Sequence, residues 1–310
     1  MNPVQNILIT GASGMIGQHL TATLLARGHR VTHLGRSKPE GEKRSGVQSF
    51  TWNIEKRYIE PGAFLGVDTI IHLAGAGIAD KPWTKERKRE ILESRTQSTQ
   101  LLHDELKRGG HKVKTFLSAS AIGFYGFEDA TTVFTEVSPA GTDFLAQVTQ
   151  RWEREVDTLS ALGLRVVKIR IGIVLSTDGG VLNELMKPIK FYVGAPLGSG
   201  DQYTSWIHID DLCGIFAYAA EHDTLQGPYN AVAPNPVTNK VLTKATARMM
   251  HRPIIIPKVP AFALRLLLGE MADLVLTGNK VSNTKILNEG FVFSYQTVEA
   301  ALQNLLGEKQ

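Results

Sequence analysis

Residues 7–17 restrict the possible folds more than any other stretch of the chain. They read Ile-Leu-Ile-Thr-Gly-Ala-Ser-Gly-Met-Ile-Gly. Ile7, Leu8 and Ile9 are consecutive β-formers and predict a strand buried on both faces, as in a parallel sheet. After the glycines at 11, 14 and 17, the apolar stripe Ile16, Leu20, Leu24 predicts a helix with Gly28 as its stop. A glycine motif at a strand–turn–helix junction has a defined physical use. Gly11 can take the tight turn, Gly14 lets backbone N–H groups approach a phosphate, and Gly17 lets the helix pack close to the sheet. The helix N-terminus adds a positive field for a pyrophosphate. An ordinary glycine-rich βα turn is the alternative; strand, helix and spacing together favour a dinucleotide site.

Residues 30–34 then read as a second strand ending in Gly35-Arg36-Ser37-Lys38. The tip of this strand faces the adenosine ribose in a dinucleotide fold, where an acid would hold the 2′-hydroxyl and repel a 2′-phosphate. No acid occurs before Glu40, and Arg36 stands in its place. A guanidinium binds phosphate through two parallel hydrogen bonds, so NADP is expected over NAD. The alternative is a loop arginine turned to solvent.

Further along, residues 39–46 read as a polar loop, 48–52 as a short strand and 68–72 as a strand running into the small residues Ala74, Gly75 and Gly77. A long helix is expected over 84–107 and a strand over 113–118. Another helix is expected over 143–159, with the stripe Leu145, Val148, Trp152, Val156, Leu159, and a strand over 164–170. Strands alternating with helices predict an α/β chain with a Rossmann-like, doubly wound parallel sheet. Residues 1–175 and 205–235 are assigned to that domain, and 176–204 and 236–310, rich in glycine and proline, to a smaller substrate cap. Asp210 or Asp211 is expected to cap a helix that follows Trp206-Ile-His.

Composition narrows the class without naming a chemistry. With 43% apolar and 21% charged residues the chain reads as an ordinary soluble globular protein. A single cysteine, Cys213, excludes an intrachain disulfide, suits a reducing cytoplasm and falls in an apolar helical pattern that predicts a buried, inert thiol. The first strand, expected from Ile7, leaves no room for a signal peptide. Arg265, Glu270 and Asp273 interrupt the one long apolar stretch, so no membrane partner is expected. A net charge of +4 gives no case for nucleic acid.

The quoted motifs resemble those of the extended short-chain dehydrogenase/reductase superfamily. They are Thr10-Gly-Ala-Ser-Gly-Met-Ile-Gly17, His72-Leu-Ala-Gly75, Ser118-Ala-Ser120 with Tyr125-Gly126, and Trp206-Ile-His-Ile-Asp-Asp211. A closer resemblance is to its atypical YfcH-type group of epimerase family proteins. That likeness rests on Lys81-Pro-Trp-Thr84, Ser94-Arg95, Arg170-Ile-Gly-Ile-Val174 and Gly198-Ser-Gly-Asp-Gln-Tyr203. Leu268-Gly-Glu-Met271 and Asn288-Glu-Gly-Phe-Val-Phe293 match its C-terminal module of unknown function. The resemblance implies an NADP-dependent oxidoreductase or epimerase acting on a small polar substrate, with a homodimer as a possible assembly. It places the cofactor on Gly11, Ser13, Gly14, Met15, Ile16 and Gly17 of the first turn and on Gly35, Arg36 and Ser37 at the second strand tip. Leu73, Ala74 and Gly75 would lie under the nucleotide, with Glu90 and Arg95 on the next helix. Ser118, Arg170, Gly172 and Val174 would line the nicotinamide side. For Arg95 the alternative is a helix-surface salt bridge.

One part of the superfamily pattern is missing. Its working members carry a tyrosine and a lysine four residues apart on one helix, the lysine lowering the tyrosine's pKa for proton transfer. Between Pro139 and Val167 this chain has neither residue, and Phe144 and Val148 occupy candidate positions. The catalytic candidates left are Ser120 and Tyr125 as proton donors or carbonyl-orienting groups, with Arg95 as a substrate-holding cation. A non-catalytic NADP(H)-binding sensor is the second functional class.

Overall fold

The computed structural model describes residues 3–38, 46–126 and 132–307. An eight-stranded sheet organises it. In chain order its strands are β1 (Asn6–Thr10), β2 (Arg30–Gly35), β3 (Val47–Asn53), β4 (Tyr58–Ile59), β5 (Thr69–His72), β6 (Thr115–Ala121), β7 (Arg165–Ile171) and β8 (Gly227–Ala231). They lie in the order β8-β7-β6-β5-β1-β2-β3-β4, all parallel except β4, which turns back against β3. The strand order reverses between β1 and β5, the switch point where a crevice opens at the carboxyl edge of such a sheet. This is the doubly wound α/β architecture expected from the sequence.

The α-helices up to residue 268 are α1 (Met15–Ala26), α2 (Lys85–Arg108), α3 (Phe144–Asp157), α4 (Gly180–Lys190), α5 (Ile209–Glu221), α6 (Asn239–Met249) and α7 (Ala261–Leu268), and three short ones follow among the described residues, the last Val298–Leu306. Right-handed crossovers place α1 and α2 on opposite faces; α1 packs against α5, and α2 against α3. Sheet residues Ile7, Leu8, Ile9, Ile70, Ile71, Phe116 and Leu117 are fully buried between these layers. Every residue of the expected α3 stripe is buried. The helix starts where Asp143 accepts from the amide of Ala146, and α2 starts in the same way at Thr84. Gly28, with φ +84°, closes α1 in the left-handed region, as its position predicted.

The polar loop read at 39–46 lies outside the described residues apart from Gly46. Two strands of the main sheet went unread. Strand β4 has only two residues, and β8 contains glycine and proline yet buries Tyr229, Asn230 and Ala231 beside β7. The expected cap of α5 is corrected too. His208 is the capping residue, its ring Nδ1 accepting from the amide of Asp210. Asp210 and Asp211 fall in the first helical turn, where acids favour the helix dipole. Asp211 accepts from the amides of Ser294 and Tyr295, which fastens the C-terminal segment to this helix. Among the described residues no helix is long and apolar enough to cross a membrane. Cys213 is buried, and burial pushes its thiol up to about 12, so it stays protonated.

Candidate functional site

The carboxyl ends of β1, β2, β5, β6 and β7 bring the predicted cofactor residues to one edge of the sheet. Gly11 (φ +70°) makes the turn after β1. A Cβ there would lie 2.9 Å from the backbone of Leu73 and Ala74, so the β1 and β5 turns touch. At Gly17 a Cβ would lie 2.5 Å from the carbonyl oxygen of Gly11, which fixes glycine at the close approach of α1.

Gly14 differs from both. Its φ of −75° suits any residue, and a Cβ there would meet only the Gly11 oxygen, at 3.4 Å. Neither backbone conformation nor protein packing requires glycine at 14. The space a side chain would fill lies over the first amides of α1, which precede the first helical bond from Gln18 to Gly14. A cradle of this kind fits a pyrophosphate.

Polar contacts beneath the cradle hold its two turns together. The Thr10 hydroxyl oxygen accepts from the amides of Leu73 (3.2 Å) and Ala74 (3.3 Å) and lies 2.7 Å from Nδ1 of His72. The other ring nitrogen of His72 is 3.1 Å from the hydroxyl of Ser98 on α2. Burial, with Arg95 nearby, lowers the His72 pKa to about 3, so the ring is neutral. One turn up the helix, Ser94 Oγ accepts from the amide of Ala76. Thr10 and Ser94 entered the sequence reading only as members of motifs, with no role attached, and Ser98 not at all, although hydroxyls at i,i+4 on α2 were a signal available there.

Two arginines face this edge. Arg36 is exposed at the β2 tip, beside exposed Ser37, and has no carboxylate partner among the described residues. Its neighbour Lys38 is taken by Glu60, which directly follows β4, with Nζ–Oε1 at 2.7 Å. On α2, Arg95 donates from Nη1 to the carbonyls of Ala76 (3.0 Å) and Ile91 (2.8 Å), and its guanidinium lies 5.2 Å from the Trp152 ring. Burial, with Arg87 nearby, lowers its pKa to about 10, so it stays charged at neutral pH. A Cβ on Gly75 would fall 3.2 Å from the Arg95 guanidinium carbon. The salt bridge to Glu90 is not formed, because Glu90 pairs with Arg87 at 2.6 Å. That pairing, with Lys81 and Arg36 also in range, holds the Glu90 carboxyl below its usual value. Met15 sits against Gly179 and Gly180 beyond the strand that contains Val174, and Ile16, Leu73, Ala74 and Val174 pack on the core.

Five other assignments do not fit their placement. Tyr125 is fully buried; its hydroxyl donates to Asn230 Oδ1 at 2.6 Å and accepts from Arg170 at 3.1 Å. Burial raises its pKa, against the pull of Arg170, so the phenol is a poor proton donor to a substrate. Ser120, 3% exposed, donates to the Glu153 carboxylate at 2.6 Å. Arg170 is bound through Nε and Nη2 to the same carboxylate (2.8 and 2.9 Å) and stacks 3.5 Å from the Phe124 ring. Its charge is therefore neutralised inside the protein. Gly172 is explained by packing, since a Cβ there would lie 2.4 Å from the Ser205 carbonyl oxygen. Ser118 is also fully buried, donating to Ala119 O. Phe144, at a position open to the missing tyrosine, packs edge-to-face with Trp83, and the Lys88 ammonium lies 5.1 Å from its ring.

Comparison with known proteins agrees with this geometry. Residues 7–232 match the NAD dependent epimerase/dehydratase family. The chain belongs to that family. Residues 259–305 match a domain of unknown function, DUF1731. Family member YfhF of Bacillus subtilis, an "epimerase family protein", is 36% identical over 305 residues, covering 98% of this chain and 99% of its own. The Mycobacterium leprae epimerase family protein ML0860 is also 36% identical, covering 96% and 94%. Among solved structures, human epimerase family protein SDR39U1, crystallised with NADPH, superposes with a TM-score of 0.84 at 29% identity, covering 97% and 99%. A nucleoside-diphosphate sugar epimerase from Corynebacterium glutamicum gives 0.79 at 32% identity, covering 98% of this chain and 59% of that one.

Proposed function

We propose that the protein is an NADP(H)-dependent member of its family. It binds the dinucleotide along the carboxyl edge of the sheet and acts on a small polar substrate, with residues 176–204 and 236–310 as the cap and the cytoplasm as the compartment. Arg36 carries this reading. It is an exposed guanidinium with no carboxylate partner among the described residues, at the ribose end where an NAD-selective site would place an acid. Arg95, charged and without a carboxylate partner among the described residues, supplies a second cation beside the β5 turn. The NADPH-bound human relative and the nucleoside-diphosphate sugar epimerase support the cofactor and a polar, nucleotide-linked substrate. Titration of both reduced cofactors tests the assignment. NADPH is expected to bind at least ~10-fold tighter than NADH, about one charge-assisted contact, and Arg36→Ala to erase most of the difference. Equal affinities in the unmodified protein would refute it.

A second reading, a non-catalytic NADP(H) sensor, is favoured by one observation. No tyrosine or lysine lies between Pro139 and Val167, where the acid–base pair is expected, and the two other hydroxyl candidates are bound within the core. A broad metabolite screen that finds tight NADPH binding and no turnover would decide for it.

A further inference from the structure

The end of α4 and the segment leading into α7 form an apolar face that no described residue covers. Phe191 and Tyr192 follow α4, Ile255 lies between α6 and α7, and Phe262, Leu266 and Leu267 project from α7. Their exposures run from 45% at Tyr192 to 88% at Leu266. The two stretches are joined. The amide of Val259 donates to Pro196 O at 2.8 Å, and the Arg252 guanidinium lies 4.9 Å from the Tyr192 ring. Single exposed apolar side chains are ordinary, but six on two joined segments mark an interaction surface.

Two of its turns are built in an unfavourable backbone conformation. Tyr192 (φ +63°) and His251 (φ +53°) each stand just past a helix, in the left-handed region. Both turns close in the same way. The amide of Val193 returns to Pro188 O and that of Tyr192 to Ile189 O; Arg252 returns to Ala247 O and His251 to Arg248 O. Glycine is the favoured residue at such positions. Ring-bearing residues there are retained against a conformational cost, and both display their side chains at the surface.

Charge decides what this face would meet. Residues 185–200 and 249–269 contain Lys187, Lys190, Arg252, Lys258 and Arg265 and no aspartate or glutamate. Lys187 pairs with Glu184 and Arg265 with Asp273. Lys190, Arg252 and Lys258 have no carboxylate partner among the described residues. A two-fold pairing of copies would set these cations against each other. A bound peptide helix would need a groove, whereas Phe262, Leu266 and Leu267, at 76–88% exposure, stand out from the surface. An anionic lipid surface suits both features, because apolar tips enter the acyl boundary while cations meet headgroup phosphates.

We propose that this face docks the protein on a membrane surface rich in anionic phospholipid. The sequence argument against a membrane partner concerned a spanning segment, which surface docking does not need. Co-sedimentation of the full chain with vesicles of equal phosphatidylglycerol and phosphatidylcholine tests the proposal. Binding is expected to be at least ~10-fold stronger than to phosphatidylcholine alone and to weaken with salt. Lys190→Glu with Lys258→Glu should lower it by at least ~10-fold, as should Leu266→Asp with Leu267→Asp. Unchanged unfolding midpoints would show that both variants are folded. Absence of binding to the anionic vesicles overturns the proposal, and equal binding to neutral ones overturns the charge argument that chose the occupant. Reversible dimerisation abolished by Leu266→Asp, without vesicle binding, would assign the face to a second copy instead.

Discussion

Replacing Tyr125 with phenylalanine separates a structural phenol from a catalytic one. In the folded protein the hydroxyl donates to Asn230 Oδ1 at 2.6 Å and offers Arg170 an acceptor at 3.1 Å, and both Tyr125 and Asn230 are fully buried. Arg170 keeps its paired contacts to Glu153 after the substitution, so its charge stays compensated. Asn230 Oδ1 loses the hydrogen bond from Tyr125, and a buried acceptor left without a donor costs about 1–3 kcal/mol. With about 2 kcal/mol lost and roughly 2–4 °C per kcal/mol for a chain of this size class, Tm should fall by about 4–8 °C. The dinucleotide cradle lies on other strands, so the additional rise in Tm produced by NADPH should be the same in both proteins. Thermal unfolding with and without NADPH reads both quantities. An unchanged Tm in the absence of cofactor would show that the buried contacts carry no net energy. A normal Tm combined with lost turnover would restore Tyr125 as a proton donor.

Other substitutions probe the remaining parts of the edge. Gly14→Val should give a folded protein that gains no thermal stability from NADPH, since the side chain enters the cradle. Arg95→Met should weaken NADPH binding by at least ~10-fold in a titration while leaving the apoprotein no less stable, because a buried charge without a carboxylate is removed. His72, whose folded pKa of about 3 lies below its unfolded value, contributes stability that is complete above about pH 6.5. Below that pH the unfolded chain takes up the proton first, so stability should fall by up to about 1.4 kcal/mol per pH unit toward pH 3. His72→Asn should flatten that slope in denaturant titrations.

Most of the fold was legible because its signals are local. Strands buried on both faces leave apolar runs, α3 leaves a clean stripe, and Gly11 and Gly17 are required by contacts within the motif itself. Strand β8 was missed because its partner β7 lies about 60 residues away in sequence, and Gly227-Pro228 resembles a turn. The α5 cap was missed because an imidazole can do what a neighbouring aspartate does more often. Cofactor residues at strand tips were readable from topology. Ser120, Tyr125 and Arg170 were not, because whether a hydroxyl or guanidinium faces a cleft or the core depends on Glu153, Asn230 and Glu136, none adjacent in sequence. Gly172 has the same difficulty, since Ser205 makes it a packing glycine.

The contacts through His72 favour one order of protons. Ser98 sends its single hydroxyl proton back to helix carbonyls, with Ser94 O at 2.7 Å, so toward the ring it can only accept. The hydrogen-bond network thus assigns the proton of the neutral imidazole to Nε2, which leaves Nδ1 to accept from Thr10. Thr10 in turn receives the amides of Leu73 and Ala74. The result is a directional wire from the β5 turn, across the sheet, to α2, in which each donor polarises the next. The two ends of the wire are fixed, because the Leu73 and Ala74 amides can only donate and the Ser94 carbonyl can only accept. The Nε2–H tautomer of His72, visible in nitrogen chemical shifts, thus serves as a spectroscopic reporter of whether the floor of the cradle is assembled.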